Sequence, residues 1–97
     1  MKLTIVKKKT EKNSLHFKLT GEMTIYSASK LKDVLFKELK SCSGISLDLA
    51  EVDEADTSGF QLLLFLKREA GMSGKNFRIT EMSSRLRNIF TLYKETV

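Results

Sequence analysis

Apolar residues recur at every second position in four separate segments of this chain, with polar residues between them. The four sets are Leu3 and Ile5; Leu15, Phe17 and Leu19; Ile45, Leu47 and Leu49; and Phe77 and Ile79. A period of two predicts four β-strands, each with one buried face. Strands covered on both faces have continuous apolar runs instead. We therefore expect helices to cover mainly one face of the sheet.

The segments between and after these strands predict three helices. The first follows the possible capping residue Ser27, the second runs from Ser58 to Ala70 and is ended by Gly71, and the third contains Met82. The repeating apolar positions of the first and third helices are Ala28, Leu31, Val34, Leu35 and Leu39, and Met82, Leu86, Ile89, Phe90 and Tyr93. The resulting order is ββαβαβα, an α/β fold with a mixed four-stranded sheet. Its first two strands form a hairpin and the later strands pair in parallel through right-handed crossovers.

The length and composition predict a single domain over residues 1–97. A chain of 97 residues with 41% hydrophobic content can form one core without a metal or disulfide framework. Cys42 has no second cysteine to pair with, and the first residues lack the pattern of an export signal, so we expect a cytoplasmic protein. The longest apolar run, Phe60–Leu66, is shorter than the roughly 20 residues that span a bilayer, and no membrane insertion is expected.

The net charge of +5 is distributed unevenly along the chain. No Lys or Arg occurs from Ser41 to Leu66, a window that contains Asp48, Glu51, Asp53, Glu54 and Asp56. Lysines crowd the first two predicted strands, including the run at positions 7–9, but no aromatic platform or groove-reading helix accompanies them. We therefore predict no nucleic-acid binding. Function is expected at the acidic window.

This window contains the turn Asp56-Thr57-Ser58-Gly59, between the third strand and the second helix. In one interpretation Ser58 only begins the helix, forming a capping box with Gln61. In the other, Ser58 is a regulated hydroxyl on an exposed turn, which Gly59 leaves accessible to a kinase. A phosphate would add about −1.5 to −2 charges to an acidic surface and release a partner that fits the unmodified turn.

Four segments resemble the STAS family in order and spacing, over nearly the whole chain. They are Gly21-Glu22-Met23-Thr24, Leu47-Asp48-Leu49, Asp56-Thr57-Ser58-Gly59 and the Leu-rich helix that follows. The resemblance implies a bacterial anti-sigma factor antagonist, in which the serine matching Ser58 is phosphorylated by a serine kinase that is often itself an anti-sigma factor. A cognate phosphatase reverses the modification, and the unphosphorylated form sequesters the kinase. Many members carry aspartate where this chain has Thr24.

Two further classes within the family remain open. The Leu-rich helix resembles STAS proteins encoded among chemotaxis genes. The compact length resembles constitutive STAS subunits of lipid-asymmetry ABC transporters, in which the residue matching Thr57 contacts the ATPase subunit. We therefore predict Ser58, with Thr57 as second choice, as the phosphorylation site. The predicted partner-binding residues are Thr24, Asp56, Thr57, Gly59, Gln61 and Phe65.

Phe65 is predicted to point away from the apolar face of the second helix and to remain partly in water. It contacts a partner, is covered by the first or third helix, or is a single exposed apolar residue that needs no explanation. A contact through Phe65 would also allow a weak homodimer in place of a monomer.

Enzymatic and metal-binding alternatives fit the residues poorly. A Ser58 nucleophile would need glycine where Asp56 stands and a nearby base, yet His16, the one histidine, lies on an alternating strand. A calcium loop beginning at Glu54 would need glutamate where Phe65 stands. We predict that the chain is not an enzyme and takes no metal or other cofactor.

Overall fold

Four strands and three helices follow one another in the order that the apolar pattern predicts. The structure, a computed structural model, describes residues 3–93. Its elements are β1 (Leu3–Lys9), β2 (Ser14–Met23), α1 (Ile25–Ser41), β3 (Gly44–Ala55), α2 (Thr57–Met72), β4 (Asn76–Met82) and α3 (Ser84–Leu92), with a 3₁₀ turn at Glu11–Asn13. The predicted order ββαβαβα is confirmed.

The sheet has the order β1-β2-β3-β4, with β1 and β4 at its edges. β1 pairs antiparallel to β2, from Leu3 opposite Gly21 to Lys9 opposite Leu15. β2 pairs parallel to β3, and β3 pairs parallel to β4. The predicted hairpin and the predicted parallel strands are therefore both present in a mixed sheet.

The core lies on one face of the sheet. The inward side chains of β2 and β3 pack against apolar residues of all three helices. The most deeply buried members are Phe17, Leu19, Met23, Leu31, Leu35, Leu47, Leu49, Val52, Leu63, Leu66 and Leu86. The opposite face carries polar side chains, among them His16, whose Nδ1 lies 2.7 Å from the Ser46 hydroxyl. This is the one-sided arrangement that the period of two predicts.

Two predicted helix starts are wrong by a few residues. Thr24, rather than Ser27, caps α1, and Ser27 occupies the third helical position and completes a capping box with it. Met82 ends β4, and α3 begins after Ser83, whose hydroxyl accepts from the amide of Leu86 at 3.4 Å. α1 therefore begins at an earlier hydroxyl than predicted and α3 at a later one, and each hydroxyl accepts from a free amide at the start of its helix. Gly71, which was predicted to end the second helix, lies within α2, which continues to Met72.

Candidate functional site

The amino ends of α1 and α2 meet at Asp56. Its Oδ1 accepts hydrogen bonds from the amides of Ser58 at 2.9 Å and Gly59 at 3.3 Å. Its Oδ2 accepts from the amide of Ile25, the first residue of α1, at 3.0 Å. One carboxylate thus serves free amides of two helices and lies at the positive end of both helix dipoles.

The first of the two interpretations of Ser58, a capping box with Gln61, is wrong. α2 begins at Thr57 with Asp56 as its capping residue, so Ser58 is the second helical residue. The carboxylate of Asp56, two residues before Ser58, accepts from two free amides at the start of α2, those of Ser58 and Gly59. Ser58 is partly buried, and within residues 3–93 its hydroxyl makes no hydrogen bond. The hydroxyl therefore has no capping function to perform.

Thr57 is exposed at the first position of α2. Its Oγ1 lies 3.4 Å from the hydroxyl of Tyr93, which directly follows α3. The Tyr93 ring stacks on Phe60 at a centroid distance of 4.8 Å with 15° between the ring planes. The end of α3 thus stands beside the start of α2.

Two other predicted partner-binding residues have structural roles at this junction. Thr24 caps α1, and its hydroxyl accepts from the amide of Tyr26 at 3.4 Å. Gly59 packs so tightly against the end of β2 that a β-carbon at this position would overlap the carbonyl oxygen of Met23. Both residues fix the geometry of the turn.

A groove of about 410 Å³ lies between α1 and α2 and opens beside this turn. Its lining mixes apolar side chains, hydroxyls, an amide and one cation. The lining residues are Ile25, Ala28, Ser29, Lys32, Ser58, Gln61, Leu62 and Phe65. Ser58, Gln61 and Phe65 of the predicted set are therefore brought together on one surface.

Phe65 is partly buried at the seam between α1 and α2. Its ring packs edge-on against Phe36 of α1, with 5.5 Å between ring centroids. Of the three possibilities that the sequence left open, cover by α1 is therefore realised for part of the ring. The rest of the ring lines the groove.

Comparison with known proteins identifies the family. The family model described as "Mlab, STAS domain" matches residues 6–94. The chain belongs to the STAS domain family. An anti-sigma factor antagonist from Mycobacterium paratuberculosis has a similar structure, with a TM-score of 0.83, 16% identity, and coverage of 96% of this chain and 79% of that chain.

Structures of the anti-sigma factor antagonist SpoIIAA are similar as well. Its unphosphorylated form gives a TM-score of 0.79 at 15% identity, over 94% of this chain and 81% of that chain. The phosphorylated form of the Bacillus protein gives a TM-score of 0.77 at 15% identity, over 93% of this chain and 83% of that chain. At these identities the comparison establishes that the STAS domain described here shares their fold.

Three residues beside the site of this STAS domain escaped the sequence-based prediction. Ile25 and Tyr26 are 64% and 93% exposed, respectively, although both are large and apolar. Their position before the first buried residue of the α1 pattern, Ala28, was the available signal. Lys32 carried no such signal, because it is one of many lysines and only the packing of α1 against α2 brings it to the groove.

The remaining chemistry near the turn is electrostatic. Arg85 of α3 approaches Glu54 at 3.8 Å, so a cation reaches the acidic window from a distant segment.

His16 lies on the sheet face away from the helices, bonded to Ser46. Within residues 3–93 no group of three or more His, Cys, Asp or Glu side chains is placed to hold a metal ion. In the same part of the chain, every helix is too short or too polar to cross a bilayer.

Proposed function

We propose that this STAS domain is a partner-switching regulator of the anti-sigma factor antagonist type. In its unphosphorylated form it binds a serine kinase that also acts as an anti-sigma factor, and phosphorylation of Ser58 releases that partner. A cognate phosphatase restores the binding form. The domain itself catalyses no reaction.

The observation that carries this proposal is the position of the Ser58 hydroxyl. It is not needed to cap α2, because Asp56 already accepts from the amides of Ser58 and Gly59 through its side chain and from Phe60 through its carbonyl oxygen. A phosphate on Ser58 would find these amides occupied and would face the Asp56 carboxylate. The added charge would therefore project into the groove, where it acts on a bound partner.

The proposed switch requires no change of fold. The phosphate acts through local charge on the surface between α1 and α2. SpoIIAA has been solved in both unphosphorylated and phosphorylated forms, and each has a fold similar to that of this chain.

Mass spectrometry of the protein from growing and stressed cells of its native host tests the proposal. We expect condition-dependent phosphate on Ser58, lost in Ser58→Ala. The matched control is Ser29→Ala, because Ser29 lines the same groove from α1 and its replacement should leave the phosphate in place. Absence of phosphate from Ser58 and Thr57 under all conditions would contradict the switch.

A second candidate is a constitutive STAS subunit of a lipid-transport ABC complex. The exposed hydroxyl of Thr57 at the first position of α2 favours it, because that hydroxyl is available to an ATPase subunit without any modification. In this case Thr57→Ala would abolish assembly of the complex, measured by co-purification, while Ser58→Ala would assemble normally. The switch predicts that Ser58→Ala instead binds its partner permanently.

A further inference from the structure

Three cationic side chains surround one pair of aromatic rings at the seam between α1 and α2. The Nζ of Lys32 lies 4.4 Å from the Phe65 centroid, and the guanidinium carbon of Arg68 lies 5.9 Å from the same centroid. The Nζ of Lys40 lies 4.7 Å from the centroid of Phe36, which packs against Phe65. We call these five residues the seam cluster.

The positive charge of the seam cluster is largely uncompensated. Arg68 has one carboxylate nearby, that of Glu69 at 3.9 Å, and Arg68 remains 67% exposed. Within residues 3–93, Lys32 and Lys40 form no ion pair with a carboxylate. Exposed cation–π contacts contribute only about 0.5–1 kcal/mol each, so they orient these cations without neutralising them.

The seam cluster is continuous with the groove that reaches Ser58. Lys32 and Phe65 belong to both, and the groove adds the apolar side chains of Ala28 and Leu62. An occupant complementary to this surface has an apolar side chain for the groove and carboxylates for the cations. We propose that the seam cluster docks an acidic amphipathic segment of the partner protein. This inference rests on the proposed function and adds the chemistry of the partner.

The local geometry favours a protein segment over a nucleic acid or a membrane. The Phe65 ring already has Lys32 and Arg68 near it and Phe36 at its edge, so it does not offer a free face on which a base stacks. The apolar side chains lie in a groove between two helices, which suits single side chains projecting from a segment rather than a flat lipid surface.

The seam cluster also explains how Ser58 would control docking. Lys32 and Ser58 line the same groove, so a phosphate on Ser58 competes with a partner carboxylate for the Lys32 ammonium group. The same phosphate repels the other carboxylates of the segment. We therefore expect Ser58→Asp to weaken docking, in the same direction as phosphorylation.

A designed peptide provides the test. The probe is an acidic peptide, a fluorescein-labelled amphipathic helix of about four turns with Leu on one face and Glu on both flanks. The control is a basic peptide of the same sequence with Lys in place of every Glu. Binding is measured by fluorescence anisotropy on Ser58→Ala protein, and the site is located by amide chemical-shift mapping. We expect the acidic peptide, and not the basic one, to shift residues of α1 and α2 along the groove.

Two substitutions on α1 give the matched comparison. Lys32→Gln should weaken the acidic peptide about fivefold, the loss of roughly one charge pair, whereas Lys30→Gln, on the opposite helix face, should change binding less than twofold. Lys32→Glu combined with Arg68→Glu should reverse the preference toward the basic peptide. This reversal also controls for loss of folding, because a misfolded variant would bind neither peptide selectively.

The inference is overturned if the acidic peptide fails to bind at millimolar concentration, or binds equally well without Lys32. It is also overturned if vesicles of phosphatidylglycerol or single-stranded DNA bind in a Lys32-dependent way while the acidic peptide does not. Because Ser58→Ala cannot be phosphorylated at this position, the result does not depend on whether Ser58 is modified in cells. Failure of docking and failure of the phosphorylation switch are therefore separate outcomes.

Discussion

At the scale of single residues, one carboxylate determines how the site is built. Asp56 caps α2 and at the same time accepts from the first amide of α1. Asp56, Thr57 and Ser58 are all good capping residues, so the sequence alone did not distinguish them. The choice depends on the amide of Ile25, which lies 31 positions earlier in the chain. A contact of that kind is absent from any local pattern.

Removing this carboxylate tests its double role. Asp56→Ala should lower the free energy of unfolding by about 2 kcal/mol, because amides at the start of two helices lose their acceptor. The stability of Asp56→Asn should lie between those of the parent protein and Asp56→Ala. Asn caps α2 equally well, but its NH₂ group replaces one of the two oxygens and cannot accept from an amide. Urea unfolding measures both variants, with the exposed Asp53→Ala expected to change stability by less than about 0.5 kcal/mol. Equal losses for Asp56→Ala and Asp53→Ala would contradict the role assigned to Asp56.

The two glycines of α2 should respond in opposite directions to the same substitution. In Gly59→Ala the new methyl group meets the carbonyl of Met23, and this overlap should cost about 1–3 kcal/mol. In Gly71→Ala no atom outside the local helix lies within 4 Å, so the higher helix propensity of alanine should stabilise the protein by up to about 1 kcal/mol. Thermal unfolding of the pair checks this, and a stabilised Gly59→Ala would refute the close approach of α2 to β2.

At the scale of elements, the period of two was sufficient to predict four strands but not the full length of β3. Its alternation places Ile45, Leu47 and Leu49 inward, whereas the next buried residue is Val52, which breaks the odd-numbered series. The break reflects an extra residue in β3 relative to β2, at a point where the Asp48 carboxylate accepts from the amide of Ala50 at 3.1 Å. Bulges reverse the parity of a strand, and the sequence did not signal this one.

The helices were predicted from spacing, while contacts between helices were not. The helical spacing of the apolar residues placed Phe65 away from the buried face of α2, yet α1 covers part of its ring through Phe36. The spacing within one helix carries no information about a neighbouring helix. The groove beside Ser58 therefore emerged only from the packing of α1 against α2, and so did the position of Lys32 in it.

The end of α3 is expected to be held in place mainly by aromatic stacking. Tyr93→Ala should lower stability by about 1–2 kcal/mol, because it removes the ring stacked on Phe60. Tyr93→Phe should be close to neutral, since among residues 3–93 its hydroxyl has one hydrogen-bond partner, the exposed Thr57. Leu92→Ala is the matched control, because Leu92 is 74% exposed and adjacent in sequence. If Tyr93→Phe and Tyr93→Ala cost the same in denaturant unfolding, the hydroxyl rather than the ring holds this end.

At the scale of the whole molecule, the lysine run has a structural explanation. β1 is an edge strand with one unpaired side, and unpaired strand edges promote pairing between molecules. Lys8 and Lys9 are exposed near its end, while Lys7 lies 2.7 Å from Glu38 of α1. Charges on an edge strand oppose strand addition, which accounts for the run without a nucleic-acid partner.

Neutralising the edge should therefore make the molecule self-associate. In Lys8→Thr combined with Lys9→Thr, the edge keeps its β-propensity and the Lys7–Glu38 pair but loses two charges beside the exposed Val6. We expect light scattering to show dimers or larger species that grow with protein concentration. Lys30→Gln combined with Lys37→Gln removes the same charge from α1 and should remain like the parent protein. If both double variants associate equally, net charge rather than the β1 edge controls self-association, and the lysine run has no special role at the edge.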